Sequence, residues 1–432
     1  RHFEEACYAK AEPLYLRALA IQEKALGPEH PDVADTLSWL AMLYGNLGQY
    51  TKAEPLFLRA LAIFEKARGP EHPEVAATLS RLAWMYDNQG QFAKAEPLFL
   101  RALAIYEKAF GPEHPAVAET LFQLALLYGN QGQYAKAEPL HLRSLAIQEK
   151  AFGPEHPAVA ATLSWLAVLY GNLGQYTKAE PLFLRALAIF EKARGPEHPE
   201  VAATLSRLAW MYDNQGQFAK AEPLFLRALA IYEKAFGPEH PAVAETLFQL
   251  ALLYGNQGQY AKAEPLHLRS LAIQEKAFGP EHPNIGAILS QLALLYTNQG
   301  HFAKAEPLFL RFLAIGEKAF GWESRKMVPI AIGLVHCYQK QGKYAAAQSL
   351  AEKMGADGVM ARMALSLEQG RWPASLLEKD PLDSLAMVRS AYLSGRGPRP
   401  KILQWLAERS RSEGDYVAAS AWLGALSRLT PK

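Results

Sequence analysis

The sequence predicts an all-α superhelical solenoid, a run of two-helix hairpins stacked side by side, and three observations carry that prediction. The phrase Gly-Pro-Glu-His-Pro occurs at 27, 69, 111, 153, 195, 237 and 279, seven times at a 42-residue step. Between its copies the apolar residues follow a helical period, and no useful window alternates with period two, so no sheet is expected. A 42-residue hairpin cannot bury a core alone, whereas stacked hairpins bury a continuous one.

The unit at 115–153 shows how each element is specified. Pro115 opens a first helix where its missing N–H costs nothing, with Glu113 or His114 before it. Val117, Leu121, Leu124, Ala125 and Tyr128 then recur on one helix face. Gly132 breaks the chain. A second helix runs from Tyr134 through Ala137, Leu140, Ser144, Ile147 and Ala151, and stops at Gly153-Pro154. One local rule is broken in every copy. Pro55, Pro97, Pro139, Pro181, Pro223, Pro265 and Pro307 lie inside second helices. Each removes one backbone hydrogen bond and crowds the preceding turn. A modest bend near the helix start is expected, tolerated because packing outweighs the loss.

The pattern divides the chain. Residues 1–27 read as a partial repeat, a second helix only, opening with Tyr8-Ala9-Lys10-Ala11-Glu12-Pro13; residues 28–322 read as seven 42-residue units. Gly321-Trp322-Glu323-Ser324 then replaces the loop, residues 323–355 form a degenerate unit, and residues 356–432 read as irregular hairpins. That last stretch, with Trp372, Trp405 and Trp422, is expected to cap the solenoid or to offer a second docking site. The start, Arg1-His2-Phe3-Glu4-Glu5, shows neither a signal-peptide pattern nor a methionine. The chain is therefore expected to be cut from something longer. Its first helix, lacking a partner, should present a sticky face or one covered by an upstream domain or partner. A longer period lies above the first. Residues 43–157 recur without change as 169–283, an offset of 126 or three units, which implies block duplication.

Composition narrows the function. In 432 residues, 45 Lys+Arg balance 43 Asp+Glu, and the net charge of +2 excludes a strongly basic arm or a polyanionic tail. Charges of both signs interleave within each unit, as at Lys94, Glu96, Arg101, Glu107 and Lys108, so no nucleic-acid partner is expected. The short basic stretch at 396–401 reads as a linker. No apolar run approaches the roughly 20 residues that span a bilayer, so no membrane partner is expected and the expected location is cytoplasmic. Cys7 and Cys337 are too few for a disulfide framework or a cysteine-built zinc site.

The remaining polar residues suggest no reactive centre. Seven loop histidines (His30, His72, His114, His156, His198, His240 and His282) recur one per unit, about a helix layer apart. They cannot share one ion at bonds of roughly 2 Å, and helix starts or loop packing account for them. His141 and His267 lie among apolar second-helix residues. His336 and Cys337 are adjacent on a helix, hence about 100° apart. No phosphate loop, His-Glu-x-x-His or Gly-x-Ser-x-Gly occurs. No enzyme activity, cofactor or metal is expected.

Leu79, Leu82, Ala83, Tyr86, Ala95, Phe99 and Ala102 match the spacing of the tetratricopeptide repeat signature. That unit is about 34 residues, and the eight extra residues here fall after Ala102, in Ala104-Ile105-Tyr106-Glu107-Lys108 and the loop. The chain thus resembles the 42-residue kinesin-light-chain-type subclass, widespread in bacterial proteins. The resemblance is strong over roughly residues 3–320 and weak over 323–355. It implies a right-handed superhelix whose concave groove, lined by first helices, takes extended peptides or partner helices. Bacterial arrays of this subclass are often joined to proteases, kinases or nucleotide-dependent switches.

Helix geometry places Leu79, Leu82, Ala83 and Tyr86 on one side of a first helix, and Ala77, Ser80, Arg81, Trp84, Asp87 and Asn88 on the other. The second set differs between units and repeats every third. One flavour carries Ser38-Trp39 with Met42 and Asn46, repeated as Ser164-Trp165 with Val168 and Asn172. The next carries Ser80-Arg81 with Trp84, Asp87 and Asn88, repeated as Ser206-Arg207 with Trp210, Asp213 and Asn214. The third carries Glu119, Phe122, Gln123 and Asn130, repeated as Glu245, Phe248, Gln249 and Asn256. Asn298 continues the asparagine series. Many relatives place Asn-Asn where this chain has Ser-Trp, Ser-Arg and Phe-Gln, so their ligand specificity does not transfer. Trp and Arg are frequent hot-spot residues, and Asn amides can pair with both N–H and C=O of an extended backbone. Trp39 and Trp84 can also wedge between adjacent first helices, and an Asn just before a helix-ending Gly also reads as a cap. The sequence therefore leaves two functions open. One is a non-catalytic interaction scaffold binding, in the concave groove, an extended peptide or a partner helix with apolar or aromatic anchors and an acidic residue near Arg81 or Arg207. The other is a regulatory or sensor arm controlling a separate effector, such as a protease, kinase or defence system. Identical faces 126 residues apart imply two equivalent subsites and a partner with a repeated motif.

Overall fold

A computed structural model describes residues 2–322 and 327–354. The expected cap at 356–432, with Trp372, Trp405, Trp422 and the linker at 396–401, lies outside the described residues, as do Glu323, Ser324 and the side chain of Cys7. The described residues are helical throughout, and every connection is short. Helix α1 spans His2–Leu26. First helices α2 (Pro31–Asn46), α4 (Pro73–Asn88), α6 (Pro115–Asn130), α8 (Pro157–Asn172), α10 (Pro199–Asn214) and α12 (Pro241–Asn256) follow. They alternate with second helices α3 (Tyr50–Arg68), α5 (Phe92–Phe110), α7 (Tyr134–Phe152), α9 (Tyr176–Arg194), α11 (Phe218–Phe236) and α13 (Tyr260–Phe278). Then come α14 (Gly286–Asn298), α15 (Phe302–Phe320), α16 (Met327–Lys340) and α17 (Tyr344–Lys353). Two compact bodies divide after Leu253.

Local chemistry sets each boundary. The loop histidine is the N-cap. Its Nδ1 accepts a hydrogen bond from the second helical residue, as in Glu74 N–H to His72 at 3.3 Å and Ala116 N–H to His114 at 3.1 Å, while proline fills the first position. At the other end Gln49 N–H reaches back to Tyr44 C=O at 2.8 Å, and Gly48 turns the chain at φ 72°, a left-handed conformation that favours glycine. Second helices run through their internal prolines without a break.

In the first body the core is built from small and large residues in alternation. Val75, Ala76 and Leu79 from α4 meet Ala102 from α5, all fully buried, and the alanines let the helix axes approach. Phe99 adds a ring only 1% exposed, a burial worth roughly 1.5–3 kcal/mol. Consecutive first helices touch directly, α2 with α4, α4 with α6, α6 with α8 and α8 with α10. Consecutive second helices are joined by long side chains instead. Arg59–Glu23, Arg101–Glu65 and Arg143–Glu107 all pair at 2.7 Å, and in a second row Lys66–Glu29, Lys108–Glu71 and Lys150–Glu113 tie each second helix to the loop that follows the second helix before it. First helices thus lie on the tighter, inner side of the stack. A third row crosses between units. Tyr86 O–H donates to Glu54 at 2.6 Å, and the Lys94 ammonium sits 4.9 Å from the Tyr86 ring. Burial, together with the Glu54 carboxylate, pushes that phenol up to about 12.

One part of the core is polar. Where α5 has Phe99, Ala102 and Tyr106, α7 has His141, Ser144 and Gln148. Ser144 O–H donates to Ala118 C=O at 2.7 Å, and Gln148 accepts from Thr162 O–H at 2.7 Å. His141 is 2% exposed, its Nδ1 finds no partner, and burial drives its imidazole down to about 4.

The second body starts at Tyr254. Here the loop histidine is followed by a 3-10 turn, Pro283–Ile285, and α14 begins three residues later than in the other units. Gly286 stands where others have alanine, and Phe312 fills the space, so close that a Cβ on Gly286 would come within 3.0 Å of its ring. Gly333 accommodates the Phe309 ring in the same way, and Trp322 N–H donates to Lys353 C=O at 2.9 Å. Cys337 is buried, 3.5 Å from the Thr297 hydroxyl, while His336 is exposed.

Candidate functional site

Leucine, alanine and tyrosine on one side of each first helix go into the core, which leaves the opposite side to the inner face of the first body. One position on that face aligns through the stack: Trp39, Arg81, Gln123, Trp165, Arg207 and Gln249, each 42 residues from the last. The tryptophan and arginine neighbours at this position touch. The Arg81 guanidinium lies over the Trp39 ring at 4.7 Å from its centroid, and Arg207 over Trp165 at 4.3 Å. Cation–π contact of this kind holds a long flexible cation in place. Trp39 is 50% exposed, and Arg207 also donates to Ser164 Oγ at 3.2 Å.

Two recesses open beside these arginines. The first, of about 420 Å³, lies between α4, α5 and α6, with Arg81 and Trp84 on one wall, Tyr106 deep within, and Glu119 and Gln123 opposite. The second, of about 370 Å³, repeats it with Arg207, Trp210, Tyr232, Glu245 and Gln249. Gln123 donates to Glu119 at 2.9 Å, as Gln249 does to Glu245 at 3.0 Å, so the acidic wall is already hydrogen-bonded. Burial raises both tyrosine phenols, with the arginine beside each opposing it, and burial pulls the Arg207 guanidinium down, opposed by Tyr232. The Ser80 and Ser206 hydroxyl oxygens are buried at the recesses without a hydrogen-bond partner.

The tryptophans combine two tasks. Trp84 is half-buried, lines the first recess and presses on Gly45 of the preceding first helix; a Cβ on that glycine would lie 3.3 Å from the ring. Trp210 stands over Gly171 in the same way at 3.1 Å. Gly129, at the equivalent place one unit on from Gly45's partner, has nothing within 4 Å, since Val168 replaces tryptophan there.

The remaining sequence candidates separate by position. Asn172 lines the second recess, and Asn46, Asn88 and Asn214 are exposed at first-helix ends. Asn130 donates to both Asp87 carboxylate oxygens at 3.3 Å; burial raises the Asp87 carboxyl and this bond opposes the rise. Phe122 sits edge-on to His141, ring centroids 5.7 Å apart, and Phe248 is half-buried in α12. Asn256 and Asn298 belong to the second body, both exposed. Sequence reading missed Tyr106 and Tyr232, which reach the recesses from second helices. Their signal was available: that second-helix position reads Phe64, Tyr106, Gln148, then Phe190, Tyr232, Gln274, varying with the same three-unit period as the first-helix face. Among the described residues no cluster of His, Cys, Asp and Glu is placed to hold a metal, and no helix is long and apolar enough to cross a membrane.

Stacked hairpins whose unit-by-unit pattern runs along the inner helices and the second-helix position beside them define a helical-repeat solenoid. The tetratricopeptide repeat family matches residues 32–108, 88–150, 123–171, 158–234, 214–264 and 246–318, and again 8–32, and the chain belongs to that family. Tetratricopeptide repeats are generally protein-interaction modules. Among solved structures, the chain is similar to a putative kinesin light chain of Podosopora anserina with nearly identical TPR-like repeats, at 33% identity over 48% of this chain and 97% of that one, TM-score 0.41. BtubC (BKLC) from P. vanneervenii matches at 24% identity over 54% of this chain and 92% of its own, TM-score 0.45. The fold is also shared with a Signal Transduction ATPase with Numerous Domains protein, bearing a tetratricopeptide repeat sensor, from Pyrococcus horikoshii. That match has 17% identity over 83% of this chain and 54% of the other, TM-score 0.58. No curated protein matches the chain.

Proposed function

We propose that this protein is a non-catalytic interaction module that holds a peptide segment along the first-helix face. The observation that carries this reading is the pair of recesses, each combining an aromatic wall with a pinned arginine. An apolar side chain fits against Trp84 or Trp210, and an acidic neighbour suits the guanidinium through charge-assisted hydrogen bonds. The asparagines at the helix ends offer paired donor and acceptor groups to a backbone. Peptides selected on the intact chain from a random display library supply the ligand. The Trp84→Ala/Trp210→Ala double variant should bind them at least tenfold more weakly while circular dichroism stays unchanged. Unchanged affinity, or weakened affinity that tracks lost folding cooperativity, overturns the reading.

A further inference from the structure

We infer that the two recesses are filled together by one extended segment carrying the same short acidic-plus-apolar element twice, its copies about nine residues apart. This rests on the interaction reading above and adds the valency, spacing and conformation of the partner.

The recesses are chemically alike. Ten of the lining positions correspond, and among those only Met42 in place of Val168 differs; Trp165 and Asn172 line the second alone, and the Asp35 carboxylate that acts on Arg81 is Ala161 in the second. Both lie in one compact body, so their separation is fixed. The sites also ask for the same charge. Neither Arg81 nor Arg207 forms an ion pair among the described residues, although Arg81 lies near enough to Asp35 to favour its carboxylate; each guanidinium is held by a tryptophan of the preceding unit. A cation removed from bulk water and fixed in direction favours an anionic group presented to it. Two such cations, one per recess, call for two anionic groups at a set distance.

The spacing follows from the stack. Helices α4 and α10 stand three layers apart, and packed helices lie about 8–10 Å from axis to axis, so the recesses are about 30 Å apart. An extended chain advances about 3.3 Å per residue and covers that distance in about nine residues. The exposed amides of Asn88, Asn172 and Asn214 run along the same face. They serve a backbone whose N–H and C=O groups are unpaired, which an extended segment has and a helix does not. Once one copy binds, the second binds intramolecularly, and affinity rises without any new contact.

Synthetic fluorescent peptides test this against the full chain by anisotropy. They carry Asp-Phe-Glu once, or twice with centres three, nine or eighteen residues apart in a Gly/Ser background. The expected result is weak binding of the single copy, a gain of about 30-fold or more for the nine-residue tandem and none for the three-residue tandem. Either Arg81→Gln or Arg207→Gln should return the nine-residue tandem to single-copy affinity. Arg81→Gln is the arm to rely on if the more buried Arg207 variant folds poorly. A tandem gain of about twofold or less at every spacing, or a gain that survives Arg81→Gln, overturns the bivalent inference while leaving single-site binding intact. Failure of the single copy to bind at all sinks the underlying interaction reading and this inference with it.

Discussion

The inner and outer sides of the first body obey different rules. Between second helices the same rungs recur in every unit: Arg59–Glu23, Arg101–Glu65, Arg143–Glu107, Arg185–Glu149 and Arg227–Glu191, all between 2.6 and 2.7 Å. On the inner side one position reads Trp39, Arg81, Gln123 and then starts again. Rungs that never change hold the layers in register, and a face that changes from layer to layer can carry specificity without disturbing them. Substitutions on the two sides should therefore separate stability from recognition.

The largest effect expected on the scaffold side is Phe99→Ala. The ring is 1% exposed between α4 and α5, and deleting it should cost about 3–5 kcal/mol in urea denaturation. Arg81→Gln, on the inner face, should leave the urea midpoint nearly unmoved. If the two variants shift it equally, the division between scaffold and face is wrong.

A smaller effect distinguishes the third unit from its neighbours. His141 replaces the phenylalanine found at Phe99 and Phe183, and burial holds it neutral, its imidazole down to about 4. An unfolded histidine titrates near 6.5. Between those values the unfolded chain binds the extra proton, so the contribution is complete above about pH 6.5 and drains away as pH falls toward 4. The loss is on the order of 3 kcal/mol from this side chain. Stability measured from pH 7 to 4 should decline steeply in the native chain and less in His141→Phe. Equal slopes would place the imidazole in contact with water.

Next in size is one crossing rung. Tyr86→Phe removes the 2.6 Å bond to Glu54 but keeps the ring under Lys94. A loss of about 1 kcal/mol is expected, read as a urea midpoint shift without change of slope.

The two sides were also unequally legible. Period, punctuation and the Gly-Pro-Glu-His-Pro loop specify hairpin boundaries through local chemistry alone, as at Pro115, Gly132 and Gly153, so α6 and α7 could be drawn from the residues. The late start of α14 after a 3-10 turn was not read from the residues, and neither was the seating of Phe312 against Gly286, a contact between two helices. Trp39, Arg81 and Trp84 could be put on one face by counting at 100° per residue. Their stacking on one another, the grip of Trp84 on Gly45 and the arrival of Tyr106 from a different helix depend on how layers nest. The histidine caps lay between: position was visible, but the choice of His72 Nδ1 as acceptor required the loop geometry.

That nesting gives the smallest and most discriminating prediction. Replacing a helix-interior glycine by alanine ordinarily stabilises by roughly 0.5–1 kcal/mol, because alanine loses less conformational freedom on folding; Gly129 and Gly171 lie in the last turn of their helices, where a fraction of that gain is expected. Gly129 has open space about its Cα and should yield that last-turn gain undiminished in Gly129→Ala. At Gly171 the new methyl meets Trp210 Cζ3 at 3.1 Å and Cη2 at 3.7 Å. The ring borders the open second recess, so it can yield by a few tenths of an ångström toward that space. Part of the helical gain is then lost to lost packing on the displaced ring, and the recess narrows. Gly171→Ala should therefore gain less in stability than Gly129→Ala and should weaken peptide binding, which Gly129→Ala leaves alone. Equal stability gains with equal binding would mean that the tryptophan rests on its neighbour without being positioned by it, and that the shape of the inner face is set elsewhere.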